Sequence, residues 1–154
     1  RNFMKEEKMD LELGDRVYCV FDSDPLSNPN IQLAFDMIRG MMEEGLRCIF
    51  SNPSFEVWFI LHLKERAPYG LTAIQMKDRL RRELKPVFPN YSETTDIFDW
   101  LRDKQSLAYE RAIRLHNSQQ EVYKRVLSHE CNPYTNMFQF IEYMESIKKT
   151  ASHG

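Results

Sequence analysis

The first apolar run of the chain ends in two acidic side chains. Hydrophobic residues fill positions 17–21, and Asp22 and Asp24 follow. A short apolar run bounded by Gly, Asp and Pro is typical of a buried strand, so we predict a strand over residues 16–22. Because the side chains of a strand alternate, Asp22 and Asp24 are expected on one face at its end, with Ser23 on the other.

A helical pattern and a second apolar run come next. Between Asn30 and Glu44 apolar residues recur every three or four positions, and Gly45 is a typical helix stop. Residues 46–50 then read as a second strand. Strand, helix and strand predict a βαβ unit with two parallel strands, a right-handed crossover and helices on both faces. Two strands do not make a buried sheet, so further strands are expected before Arg1 or from a partner.

The rest of the chain has helical periodicity. Asn52 is the predicted N-cap, and Pro53 the first residue, of a helix that runs to about Lys64. This helix has almost no polar face, so we expect it at the centre of the core. Further helices are predicted over residues 72–84, 94–102, 106–129 and 136–149.

These elements divide the chain into three parts. Residues 15–64 form a partial α/β core, residues 65–150 form a helical lobe, and residues 1–14 are interpreted as a truncated N-terminal segment. The predicted fold class is therefore α/β, with a parallel sheet flanked by helices and a C-terminal helical lobe. No third strand is predicted.

Composition is that of an ordinary globular protein. The chain has 154 residues, of which 42% are hydrophobic, enough for one domain with a core. Its net charge of −2 gives no overall basic field, so any contact with nucleic acid must be local. No apolar run approaches the length of a membrane span, and the odd number of cysteines suits a reducing compartment. We expect a cytoplasmic protein without membrane contact.

The predicted strands place acidic side chains at one edge of the sheet. Parallel strands end at the edge where open α/β folds bind ligands, so Asp22, Asp24, Asn52 and Glu56 are expected to meet there. One or two carboxylates, together with substrate phosphates, are the usual ligands of Mg²⁺, and Mn²⁺ accepts the same set. We predict Asp22 and Asp24 as metal ligands and catalytic residues, with Glu56 as a further ligand or base. The alternatives are a turn or cap role for Asp24 and a buried ion pair with an arginine for Glu56.

Other polar residues are weaker candidates. Asn52, Lys77 and Arg81 are predicted substrate contacts, although the basic run from Lys77 to Lys85 also reads as a solvated helix face. His62 is expected to be a buried core residue. The remaining histidines and the cysteines lack the spacing of a zinc site, and no glycine-rich phosphate loop is present in the sequence.

Three motifs carry a family resemblance. The strings V-F-D-S-D at 20–24 and S-N-P-S-F-E-V-W-F-I-L-H at 51–62 strongly resemble the RloB-like family, which also includes the AbiLii proteins. The string N-P-Y-T at 132–135 is similar to the closing N-P-x-T motif of that family. The resemblance covers most of the chain.

The resemblance implies a divergent Toprim-like domain. In that fold a D-x-D at a strand end binds Mg²⁺, and a glutamate after an earlier strand is the general acid or base. Asp22 and Asp24 match the D-x-D, whereas nothing before Asp15 matches the Glu-Gly of the earlier strand. The lack of this Glu-Gly motif agrees with the expectation that N-terminal strands lie outside this chain.

The resemblance also implies a function in anti-phage defence by abortive infection. The resemblance points to a nuclease effector that cleaves RNA such as tRNA, or DNA. The nuclease is expected to work with an ABC-type or SMC-like ATPase partner. A homo-oligomer is compatible with the resemblance. The alternative is a non-catalytic adaptor of such an ATPase. A phosphoacceptor receiver domain fits less well, because it needs an aspartate at a third strand end.

Overall fold

A small mixed sheet forms the centre of the protein. The structure is a computed structural model that describes residues 15–24, 29–42, 46–124 and 128–151, together with Glu7 and Asp10. Strand β1 (Val17–Asp22) pairs in parallel with β2 (Leu46–Asn52), and β3 (Tyr134–Thr135) pairs antiparallel with the end of β2. The predicted parallel pair is confirmed. Strand β3, which the sequence did not predict, brings the C-terminal part of the chain into the sheet.

Helices make up most of the rest. Most bounds agree with the sequence pattern, but the helix predicted from residue 94 begins at Phe98, and the helix predicted to reach His129 ends at Tyr123. Lys124 follows in the left-handed backbone conformation (φ 59°), which does not continue a right-handed helix. The predicted stop at Gly45 lies outside the described residues. In the described part of the chain the helices are α1 (Ile31–Met42), α2 (Glu56–Leu63), α3 (Ala73–Leu84), α4 (Phe98–Arg102), α5 (Gln105–Tyr123) and α6 (Met137–Ala151).

Helix α2 begins later than the sequence predicts. Asn52 is not its N-cap, and Pro53 is not its first residue, because β2 continues through Asn52, which pairs with Tyr134. The Nδ2 atom of Asn52 donates to carbonyl groups of a distant loop, and its Oδ1 atom, which would have to accept from a helix N–H, has no hydrogen-bond partner in the described part of the chain. Helix α2 starts at Glu56 without a side-chain cap.

Helices cover both faces of the sheet, as predicted for the βαβ unit. On one face, α1 packs Phe35 against Phe50 of β2, which also stacks on Tyr134 at 4.8 Å between ring centroids. Cys48 is buried in the same cluster, and burial raises the pKa of its thiol to about 12. On the other face, Tyr18 of β1 meets aromatic rings of α6.

A larger apolar cluster surrounds α2. Val57, Ile60 and Leu61 are fully buried, in agreement with the central position predicted for this helix. They pack with apolar side chains of α3, α4, α5 and α6. The N-terminus of α2 is thereby fixed beside the ends of β1 and β2, where the predicted acidic site lies.

Candidate functional site

The ends of β1 and β2 run on side by side beyond the sheet. The amide of Ser23 donates to the carbonyl of Ser51 at 2.9 Å, and the amide of Asp24 donates to the carbonyl of Pro53 at 3.0 Å. Asp24 has a positive φ of 23°, a region that aspartate tolerates better than most residues. These two hydrogen bonds place Asp22 and Asp24 next to the residues that lead into α2.

Asp22 lies within electrostatic reach of the other predicted carboxylates. The pKa of Asp22 is raised, mainly by partial desolvation, then by the negative charge of Glu56 and, to a smaller extent, of Asp24. The backbone N–H of Phe55, which donates to the Asp22 carboxylate, and the charge of Lys77 act in the opposite direction. The structure therefore places Glu56 and Asp24, the other two carboxylates that the sequence singled out, within electrostatic reach of Asp22.

Glu56 is a buried carboxylate with an unused oxygen. The residue is only 9% exposed, and its Oε2 atom has no hydrogen-bond partner in the described part of the chain. In the described part of the chain no arginine forms an ion pair with Glu56. The buried ion pair with an arginine, which the sequence left open for Glu56, is therefore not found among these residues. Buried polar atoms without partners are rare, and they mark places where a water or an ion completes the site.

Helix α3 adds a positive charge to this edge. Lys77 donates to Glu93 at 2.9 Å, and this bond is the main reason that the pKa of Lys77 is raised; Glu56 and Asp22 contribute further. Tyr91 is partly buried nearby, and burial, followed by the charges of Glu56 and Glu93, raises its pKa. The sequence pattern does not predict Tyr91 and Glu93 at this edge, because they lie in a loop after α3 that has no periodic pattern.

The predicted substrate contacts have different surroundings. Lys77 lies beside the acidic edge, whereas Arg81, one turn later, pairs with Asp78 at 2.6 Å on the surface of α3. Asn52 is fully buried, and its Nδ2 atom donates to the carbonyls of His129 (2.9 Å) and Cys131 (2.8 Å). These bonds attach the loop before β3 to the end of β2. A substrate contact by any of the three stays a prediction.

The N-P-Y-T string builds the third strand. Asn132 donates to the carbonyl of Leu71 at 3.0 Å, and the Thr135 hydroxyl accepts from Ser51 Oγ at 3.0 Å. Tyr134 packs its ring in the core, where burial raises its pKa. This motif is therefore architectural in the structure.

His62 is the satisfied core residue that the sequence predicted. It is 5% exposed, and its Nδ1 atom lies 2.9 Å from the carbonyl of Trp58. Burial is the main cause that lowers its pKa, so the ring is neutral at physiological pH.

The acidic edge has the donor chemistry of a small magnesium site. Among the described residues, no group of three or more His, Cys, Asp or Glu side chains is arranged to hold a metal ion. Mg²⁺ often uses only one or two protein carboxylates and completes its shell with water and phosphate. Asp22 and Asp24 supply such a pair, and Glu56 adds an unpartnered oxygen nearby. The donor set fits a hydrated hard cation.

Fold and site together define a mixed α/β protein with an acidic site at the carboxyl edge of its sheet. The family model of RloB-like proteins matches residues 2–144, and the chain belongs to this family. Neither the curated proteins nor the solved structures contain a match to the chain. Within the described residues, every helix is too short or too polar to cross a membrane.

Proposed function

We propose that this protein is a Mg²⁺-dependent, Toprim-like nuclease. It acts on phosphodiester bonds of RNA, such as tRNA, or of DNA, as the effector of an anti-phage defence system with an ABC-type or SMC-like ATPase partner. The observation that carries the proposal is that Asp22, at the sheet edge, lies within electrostatic reach of both Asp24 and the buried Glu56, whose Oε2 atom has no partner in the described part of the chain. Membership of the RloB-like family supports the defence role.

The side chains of the edge have complementary tasks in this proposal. Asp22 and Asp24 hold the divalent cation, which when bound supplies an activated water and stabilises charge on the phosphate. The Phe55 N–H orients the Asp22 carboxylate. Glu56 accepts a proton from the attacking water or adds a ligand, and Lys77 offers a cation to a phosphate oxygen.

A cleavage assay tests the proposal. The purified protein is incubated with tRNA, single-stranded RNA and DNA in the presence of Mg²⁺, with and without its ATPase. We expect Asp22→Asn and Asp24→Asn to lower the cleavage rate by about 100-fold or more, because each removes charge from the metal site. Asp36→Asn is the matched control, since Asp36 lies on the exposed face of α1, where it pairs with Arg39. Equal activity of Asp22→Asn and wild type would contradict the metal role.

A second candidate function is a non-catalytic adaptor of the ATPase. The absence of a preformed three-residue metal cluster among the described residues favours it. Titration calorimetry with Mg²⁺ and Mn²⁺ distinguishes the two functions. An adaptor shows neither metal binding nor cleavage at the acidic edge, and it co-purifies with the ATPase whether or not Asp22 is substituted.

A further inference from the structure

Three arginines line a pocket at the end of α2 remote from the acidic edge. The pocket has a volume of about 290 Å³. Arg66 follows α2 in the chain, whereas Arg111 and Arg114 come from α5. We call this the arginine pocket; its polar lining consists of Glu65, Arg66, Tyr69, Arg111, Arg114 and Ser118.

The guanidinium group of Arg111 is held in place by hydrogen-bond and ion-pair partners in the arginine pocket. Its Nη1 atom donates to the carbonyl of Leu61 at 2.8 Å, and its Nε atom lies 3.5 Å from Glu65. The C-terminal carbonyls of a helix carry partial negative charge, so a guanidinium there is held in place. Nη2 of Arg111 makes no hydrogen bond to any described residue. A rigid donor is therefore left for a ligand.

The pocket carries more positive than negative charge. Glu65 is the carboxylate among its lining residues, and it accepts from Arg114 at 2.8 Å. Arg66 is exposed and has no ion pair in the described part of the chain. Three guanidinium groups thus face one carboxylate, in a protein whose net charge is −2. Such a local excess selects anions.

We propose that the arginine pocket binds a phosphate ester. Guanidinium groups match phosphate oxygens in pairs of hydrogen bonds, and Ser118 offers a hydroxyl beside them. The ring of Tyr69, 63% exposed, adds an aromatic surface on which the attached base stacks. The volume lies near the lower end for ligand pockets, which suits one nucleotide unit.

The ester comes either from a free nucleotide or from a nucleic-acid strand. Helix α2 has eight residues, a length of about 12 Å. A strand of a few nucleotides is therefore long enough to reach from the arginine pocket to the acidic edge over the surface of the protein. This second source rests on the proposed nuclease function. Phosphate binding in the pocket does not require cleavage.

Titration calorimetry in EDTA, which prevents metal-dependent cleavage, tests the pocket. The probes are inorganic phosphate, uridine 5′-monophosphate and a short oligouridylate. We expect Arg66→Gln and Arg114→Gln each to weaken binding of the nucleotide probes about tenfold, because each removes charged donors. Glu65→Gln is expected to tighten binding, since it removes the competing carboxylate. Arg82→Gln is the matched control, because Arg82 is exposed on α3 and does not line the pocket.

The measured affinities distinguish a free nucleotide from a nucleic-acid strand as the source of the phosphate ester. They also test phosphate binding separately from the proposed nuclease function. Equal affinity for the monophosphate and the oligonucleotide identifies a free nucleotide, whereas stronger binding of the oligonucleotide identifies a strand. Binding of inorganic phosphate and of the monophosphate is measured without metal and involves no residue of the acidic edge, so a failed nuclease assay does not affect this result. The proposal is overturned if no phosphate probe binds, or if folded Arg66→Gln and Arg114→Gln bind as tightly as wild type.

Discussion

At the scale of single residues, the side chains of two buried asparagines form hydrogen bonds with backbone groups in and around β2. Asn136 accepts from the Phe50 N–H and donates to the Cys48 carbonyl, both at 2.8 Å. Asn52 donates to the carbonyls of His129 and Cys131. Buried backbone groups need partners, and an amide side chain supplies both a donor and an acceptor. Asn136 thereby completes the sheet where β3 is too short to do so, and Asn52 attaches the loop before β3 to the end of β2.

Substitution of Asn52 tests this structural role. We expect Asn52→Ala to lower the free energy of unfolding by about 2–3 kcal/mol, because the variant removes the two buried hydrogen bonds that Asn52 donates to the carbonyls of His129 and Cys131. Urea unfolding followed by circular dichroism measures the change. Asn117→Ala, at an exposed position of α5, is the control and should lie within about 0.5 kcal/mol of wild type. An equally small effect of Asn52→Ala would contradict the role.

The carboxylates of the candidate site could be predicted, whereas their neighbours could not. Strand alternation and the shared edge of parallel strands place Asp22, Asp24 and Glu56 by local rules alone. Tyr91 and Glu93 reach the site only because the loop after α3 folds back, and no local pattern encodes that path. Tertiary contacts decide such positions.

At the scale of elements, local signals set some helix ends and tertiary contacts set others. Helix α3 starts where the sequence predicts, because Thr72 and Gln75 form a capping box with bonds of 3.2 and 2.9 Å. Helix α2 starts later than predicted, because Asn52 is held in the sheet by its pairing with Tyr134. Strand β3 has two residues, too few for an alternation pattern to predict.

The capping box of α3 gives a prediction at this scale. We expect Thr72→Ala to lower the free energy of unfolding by about 1 kcal/mol, because the N–H of Gln75 loses its acceptor. Thermal and urea unfolding measure the effect. Thr94→Ala removes an exposed hydroxyl outside any helix and should change stability little. If both variants have the same stability, the box does not stabilise α3.

At the scale of the whole molecule, buried histidines couple stability to pH. Burial lowers the pKa of His62 below its ordinary value of 6.5, and the charges of Lys104 and Arg111 act in the same direction. Burial also lowers the pKa of His116. The unfolded chain therefore binds more protons than the folded one as the pH falls below 6.5. Stability is fully present above that pH and is lost as the pH falls towards the lowered values.

Substitution of His62 should reduce this dependence. Urea midpoints measured between about pH 7.5 and about pH 5.5 are expected to fall for wild type and to fall less for His62→Gln, whose amide can still donate to the Trp58 carbonyl. His129→Gln removes an exposed histidine and should retain the wild-type dependence. The same pH dependence in His62→Gln and wild type would show that other groups cause it.

The pairing of β2 with β3 also affects when the protein can fold during synthesis. Ser51 and Thr135, which share a hydrogen bond, are 84 residues apart in the chain. The ribosome therefore releases β1, α1 and β2 long before the last partner of β2 exists. Contacts this distant in sequence slow folding, and apolar strands that wait for them are open to aggregation. Newly made chains should depend on a chaperone until residue 136 has left the exit tunnel.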